Sequence, residues 1–272
     1  MSSLSADSGP VRVLDVSSAA YRRAFELFLA GTDEKAVTHA RLADLVAGLE
    51  RRRVFLDVGA GAGETTAHLG QHFERTVAVE PSASMRERLL QACPDAVVVA
   101  RPIESADGAD GADLKGKADL ALLSHVLYYL PEEAWLPTLR RVLGWVAPGG
   151  TLLVMLQSPG NACMRMVEHF TGTRFDLRPI ARQLRGQEPE QVSGWSIETL
   201  DVRYRTRRFA EAMDVAEFMV NVPVLPTLDP LPARADLVAY VEKHFARPDG
   251  TYVISHAHDI LCVRRTSDPG AY

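Results

Sequence analysis

The stretch Asp57-Val58-Gly59-Ala60-Gly61-Ala62-Gly63-Glu64 joins an apolar run, Val54–Val58, to a segment with helical patterning. Glycines at such a turn let a ligand approach the backbone closely, because no Cβ stands in the way. A dinucleotide fingerprint requires glycine at position 64, where Glu64 stands, and a phosphate loop requires a closing Gly-Lys-Ser/Thr, which is missing. Asp57 and Glu64 suit a ligand bearing ammonium and sulfonium charges better than a pyrophosphate. Glu80 directly follows the second apolar run, about 20 residues beyond the first glycine, where an acid reaches both hydroxyls of a ribose. A tight turn, or a carboxylate after a strand, is ordinary by itself. The two at this spacing point to a cationic ligand that carries a ribose.

Further residues with chemical capacity lie elsewhere in the chain. Glu34 falls in the first turn of a helix, a place where the macrodipole favours any carboxylate. Tyr128 and Tyr129 follow the fourth apolar run, at the carboxyl edge where ligands bind in parallel sheets. Aromatic residues there are often plain core, yet a ring face near a sulfonium gains about 0.5–2 kcal/mol. His125 sits at the same edge; it can accept a proton from an acceptor molecule or hydrogen-bond it, and a satisfied structural histidine is the equal alternative. His256-Ala257-His258-Asp259 looks like a metal-binding His-x-His, since on a strand both rings face one side. No nearby residue offers a clear third ligand, so no metal is expected.

The elements that must position these residues show in the apolar periodicity. Val54–Val58, Thr76–Val79, Ala96–Val99, Ala118–Leu123 and Thr151–Leu156 read as buried strands, with helical segments such as Ser84–Ala92 and Ala134–Trp145 between them. This alternation predicts a doubly wound α/β fold, a parallel sheet covered by helices on both faces. Ahead of it, helical spacing over Ala19–Ala30 ends at Gly31, and Thr32 or Asp33 caps a second helix running to about Glu50. Residues 1–16 read as a flexible tail and Glu104–Lys117 as a surface loop. Beyond Gln157, Ala162–Phe170, Arg178–Arg185 and the stripe Leu237, Tyr240, Val241, His244, Phe245 read as helices. Trp195–Phe209 contains strand-like alternation, Tyr252–Val263 reads as a strand, and Pro223, Pro226, Pro230 and Pro232 read as an extended wall or linker.

Composition narrows the classes. The chain has 272 residues, 47% of them hydrophobic and 24% charged, with a formal net charge of −5, which excludes wholesale disorder. The acidic balance argues against a nucleic-acid partner. No apolar run nears the ~18 residues a membrane span needs, and Met1-Ser2-Ser3 does not open a signal peptide. Cys93, Cys163 and Cys262 are odd in number and widely spaced, so neither disulfides nor a metal knuckle is expected. A reduced, cytoplasmic protein with no membrane partner is the expectation.

Asp57–Gly63, Val79-Glu80-Pro81, Asp119–Tyr129 and Ala147-Pro148-Gly149-Gly150 resemble, in order, the motifs of class I S-adenosylmethionine-dependent methyltransferases. The resemblance implies a Rossmann-like methyltransferase fold with a seven-stranded sheet, its last strand antiparallel and supplied by Tyr252–Val263. It implies one domain over residues 1–272: a tail and N-terminal helical cap (1–52), a cofactor-binding core (53–157), and C-terminal decorations (158–272) carrying acceptor-side helices and the last two strands. The cofactor would be S-adenosylmethionine, held by Tyr21, Asp57, Gly59, Gly61, Gly63, Glu80 and Ser124. Gly61–Glu64, Val79–Ala83, Leu127–Tyr129, Gly172–Phe175 and Tyr21, Phe25, Phe28, Leu29 and Glu34 further resemble the histamine N-methyltransferases. That narrower likeness implies that Tyr21 closes over the cofactor, Glu34 contacts the acceptor's nitrogen-bearing ring, and Tyr128 and Tyr129 line the pocket. Two positions depart: His125 replaces an acceptor-binding Gln, and His256 falls where an acceptor-binding Asn stands.

The expected activity is methyl transfer to a small-molecule acceptor at an amine or imidazole nitrogen, with Glu34 and His125 as catalytic residues and Tyr128, Tyr129 and His256 binding the acceptor. The rivals are methylation of a phenol or carboxylate oxygen, and a non-catalytic protein that binds S-adenosylmethionine. Ser124-His125-Val126-Leu127 replaces the Asn/Asp-Pro-Pro-aromatic box used on flipped bases, which counts against a nucleic-acid substrate. An NAD-dependent dehydrogenase stands as a more distant rival.

Overall fold

The structure is a computed structural model that describes residues 9–15, 18–108, 113–221 and 227–267. In chain order its elements are α1 (Ala19–Gly31), α2 (Glu34–Ala47), β1 (Val54–Val58), α3 (Glu64–Gly70), β2 (Arg75–Val79), α4 (Ala83–Ala92), β3 (Val97–Val99), β4 (Ala118–Ser124), α5 (Glu132–Trp145), β5 (Val146–Gln157), α6 (Ala162–Thr171), α7 (Leu177–Gln187), β6 (Val192–Leu200), β7 (Arg203–Thr206), α8 (Phe209–Asn221), α9 (Arg234–Phe245), β8 (Tyr252–Ser255) and β9 (His258–Arg265). They divide into two compact units. One comprises Thr38–Leu156, Asp176–Thr199 and Asp259–Tyr272; the other comprises Met1–Val37, Gln157–Phe175 and Leu200–His258.

The first unit is built on a seven-stranded mixed sheet of order β3-β2-β1-β4-β5-β9-β6. The pairs β1–β2, β2–β3, β1–β4 and β4–β5 are parallel. Phe55, Leu56, Val58, Leu120, Ala121, Leu122 and Leu123 are all buried. Continuous apolar runs of this kind belong to strands covered on both faces. Strand order reverses between β1 and β4, which puts the topological switch point at their carboxyl ends, where open α/β sheets bind ligands. β5 is longer than its apolar run, because Val146–Gly150 also pairs as strand.

The second unit packs α1, α6 and α9 around α8, with a two-stranded sheet of β7 and β8 beside them. α8 is buried on nearly every side from Val215 to Asn221. Over that stretch its residues are buried whatever face they occupy, whereas Phe209–Asp214 is partly exposed; the helix went unrecognised in the sequence. Its Glu217, 0% exposed, accepts from Arg12 Nε at 2.6 Å and Arg234 Nε at 2.7 Å.

Two expectations are corrected here. Residues 9–15 are not a free tail: Val11 and Leu14 are buried, Val11 N–H bonds Pro232 O at 2.8 Å, and Leu14 N–H bonds Asn221 Oδ1 at 2.8 Å. The alternation within Trp195–Phe209 resolves into the end of β6 and all of β7, which lie in different sheets, and Phe209 opens α8. Tyr252–Val263 is likewise two strands in two sheets. The break at His256-Ala257 has a hydrogen-bonding cause: His256 N–H goes to Val202 O, while Ala257 O accepts Ser158 N–H and Asn161 Nδ2. Residues 1–8, Pro223 and Pro226, and positions 109–112 of the expected surface loop lie outside the described residues. Among the described residues, no helix is long and apolar enough to cross a membrane.

Candidate functional site

In the sheet unit, β1 ends at Val58 and the chain turns through Gly59, Gly61 and Gly63, at φ 79°, 55° and 83°. A Cβ on Gly59 would overlap the Val126 side chain, and one on Gly63 would stand 2.9 Å from the Leu89 Cα. These two glycines are therefore demanded by packing as well as by conformation. Gly61 differs: no atom lies within 4 Å of where its Cβ would be. That open side is where a ligand can meet the loop backbone.

Glu80, directly after β2, anchors the loop. Its Oε2 accepts the Gly61 N–H at 2.8 Å, and its Oε1 accepts the Ser82 N–H at 2.8 Å. Each carboxylate oxygen has a further lone pair, so the group retains capacity for two more donors. A ribose diol presents two. Asp57, buried in β1, accepts from Thr66 Oγ1 at 2.6 Å, which ties α3 back onto the strand beneath the loop. Sequence reasoning missed Thr66; its signal was a hydroxyl on the first turn of the helix that follows the buried acid.

At the end of β4, Ser124 Oγ lies 3.8 Å from Met155 Sδ. His125 is the sole non-glycine residue of positive φ among the described residues, at 60°. Its ring stacks on Tyr128 at 5.7 Å, and its Nδ1 lies 3.3 Å from the Tyr128 hydroxyl. A left-handed conformation costs a non-glycine residue roughly 1–2 kcal/mol, and such strain concentrates at ligand sites. Tyr128 is buried, while Tyr129 is 63% exposed. Val126, which fits against the bare Cα of Gly59, joins the β4 edge to the glycine loop. Asp57, the three glycines, Glu80, Ser124, His125, Tyr128 and Tyr129 thus all belong to the sheet unit, on or beside the switch point.

Tyr21, Glu34 and His256 belong to the other unit. Tyr21 packs edge-on against Phe218 at 5.3 Å, Phe218 against Phe28 at 5.6 Å, and Phe28 against the His256 ring at 4.9 Å. His256 Nε2 lies 2.8 Å from Thr32 Oγ1, and the same oxygen accepts the Glu34 N–H at 3.2 Å. Burial lowers the His256 pKa to about 4, although Asp33 and Asp201 pull the other way. With 0% exposure and Nε2 beside Thr32, this ring supports the α1–α2 turn, and the expectation that both rings of His256-Ala257-His258 lie on one strand is corrected, since His256 falls between β8 and β9. Thr32 was foreseen only as a cap. Cys163 is buried and its thiol is pushed up to about 12 by desolvation, so it is no nucleophile.

A family model described as a methyltransferase domain matches residues 33–208. Among solved structures, the YcgJ protein of Bacillus subtilis is similar at a TM-score of 0.59 and 13% identity, over 84% of this chain and 99% of that one. The N-methyltransferase NodS of Bradyrhizobium japonicum, in complex with S-adenosyl-L-homocysteine, is similar at a TM-score of 0.53 and 15% identity, over 91% and 99%. No curated protein matches the chain. These findings reach the class and the fold; they do not extend to the narrower histamine N-methyltransferase likeness.

Proposed function

The chain belongs to the methyltransferase-domain family, and from that premise we propose that it methylates an amine or imidazole nitrogen of a small molecule. The protein is an S-adenosylmethionine-dependent methyltransferase. The loop fits that cofactor: Gly61 has open space above it, and both Glu80 oxygens retain lone pairs for ribose hydroxyls. When bound, S-adenosylmethionine supplies an electrophilic methyl on a positively charged sulfur. The backbone of Gly59–Gly63 and the Glu80 carboxylate would hold it.

The remaining work falls to the acceptor side. A nitrogen attacks only through a free lone pair, so a protonated amine must first lose its proton. In this reading His125 is the sheet unit's candidate base, taking up the proton at its imidazole nitrogen, and Glu34 is the other unit's candidate carboxylate for a positively charged acceptor. Tyr128 and Tyr129 orient the acceptor and exclude water, from which much of the rate can come. A carboxylate acceptor would call for Arg or Lys at these positions, and none is present.

The observation that carries the reading is His125, a titratable ring held in a strained conformation at the ligand edge of β4. Asn tolerates the left-handed region, so His125→Asn removes the proton acceptor while leaving the backbone intact. We expect turnover to fall by roughly 10²–10⁴ with S-adenosylhomocysteine affinity near that of the unaltered protein. The rate should rise as pH passes the acceptor's pKa. Unchanged turnover in a folded His125→Asn variant would reject the assignment of the base.

A further inference from the structure

The turn between α1 and α2 is fixed by the β7–β8 hairpin. A Cβ on Gly31 would overlap the Tyr204 ring, and Thr32 forms an antiparallel bridge with Tyr204. Asp33 Oδ1 accepts the Arg203 N–H at 2.7 Å, and Asp33 returns its own N–H to Arg203 O at 3.3 Å. These contacts hold the backbone of the turn as far as Asp33; the Thr32 hydroxyl and the Glu34 N–H that it accepts lie outside them.

His256 adds one side-chain contact to this frame. Its own backbone is pinned on both sides, through its N–H to Val202 O at 3.0 Å and through the Ala257 carbonyl to Ser158 N–H at 2.7 Å and Asn161 Nδ2 at 2.8 Å. The ring is delivered to Thr32 Oγ1 from a rigid base, with Phe28 against it. Buried and neutral, it has one N–H and one lone pair to place. Nδ1 has no hydrogen-bond partner among the described residues. An orphaned N–H is rarer in folded proteins than an under-used acceptor, so the proton belongs on Nε2 and is donated to Thr32. The Thr32 oxygen then accepts twice, from His256 and from the Glu34 N–H that starts α2.

A buried imidazole with one unpaired nitrogen is a poor stabiliser, and a phenyl ring would fill the same space against Phe28 without that penalty. What the imidazole supplies is orientation. We propose that His256 is a positioning residue that fixes Thr32 and, through Thr32, the first turn of α2 that carries Glu34. This rests on the reading of Glu34 as the acceptor-binding carboxylate.

The test compares His256→Phe, which keeps the ring volume, with His256→Gln, which returns an N–H at similar reach. Amide hydrogen exchange is followed by NMR at Glu34, with Phe28 and Phe218 as reporters of the surrounding packing. In His256→Phe, Glu34 exchange should quicken by about tenfold, the equivalent of one ordinary hydrogen bond, while Phe28 and Phe218 hold their protection. His256→Gln should restore most of it, and Thr32→Val, which also removes the acceptor of the Glu34 N–H, should quicken exchange at least as much, with no added effect in the double variant. Unchanged Glu34 protection in His256→Phe would overturn the proposal, as would equal loss at Phe28 and Phe218. Titration of the unaltered protein with imidazole, followed at the Glu34 side-chain carboxyl carbon, tests the underlying reading separately. A resonance that does not move would sink the acceptor role of Glu34, and the positioning role with it, whatever the exchange comparison shows.

Discussion

Replacing Glu80 with glutamine should break cofactor binding by a route the hydrogen bonds make explicit. The carboxylate offers an oxygen to each of two backbone donors, Gly61 N–H and Ser82 N–H, both at 2.8 Å. Glutamine has one oxygen and one NH2, so in either flip a donor faces a donor. One loop contact is lost, together with one of the two acceptors available to the ribose. The loop contact is made with or without cofactor, so affinity falls through the lost ribose acceptor; one charge-assisted bond is worth about 1.5–3 kcal/mol, which raises the dissociation constant by roughly 10–10². Calorimetric titration with S-adenosylhomocysteine measures this directly. Glu64→Gln, altering an exposed acid beside the same loop, is the control and should change affinity little. A folded Glu80→Gln variant that binds like the unaltered protein would refute the ribose assignment.

Gly63→Ala should lose about 2–3 kcal/mol in urea unfolding, since strain at φ 83° adds to a Cβ 2.9 Å from backbone; Gly61→Ala should instead lose cofactor affinity at a stability cost near 1 kcal/mol. Equal effects in both would contradict the division of labour within the loop. The His256 pKa is lowered to about 4 from 6.5, so the unfolded chain binds more protons between those values. Stability present above pH 6.5 is therefore lost as pH falls through that window, by up to roughly 3 kcal/mol. His256→Phe should flatten this part of the acid unfolding profile, and an unaltered profile would count against the buried neutral ring. Arg234→Ala leaves the buried Glu217 with fewer partners and should cost about 3 kcal/mol; denaturant melts showing under 0.5 kcal/mol would mean that the charge is relieved in another way.

The sheet core was legible because its strands are uninterrupted apolar runs, and the glycine loop because it stands at a telling spacing from Glu80, where either feature alone would be ordinary. β1 was read to its exact residues, and β4 to within one. The failures have physical causes. α8 is buried on every side from Val215 to Asn221, where Glu217 and Asn221 are held by partners distant in sequence and so mark no solvent face. The His256-Ala257 break is made by the Val202 carbonyl, the Ser158 N–H and the Asn161 side chain, partners far away in sequence. The tail was misread because Arg12 finds its partners in Asp214 and Glu217, on α8, 202 and 205 residues away. His125 could be picked out by type and place, but its positive φ, the strongest sign that it is held for a purpose, is a backbone fact that no side-chain pattern announces.

The most direct test of nitrogen methylation is to supply S-adenosylmethionine carrying a 13C-labelled methyl and a panel of amines, imidazoles, phenols and carboxylic acids. The labelled product is then identified by its proton–carbon correlation. The account predicts a methyl bonded to nitrogen, formed faster as pH rises past the acceptor's pKa, and lost in His125→Asn. A methyl on oxygen would contradict it and leave only the fold and the cofactor standing.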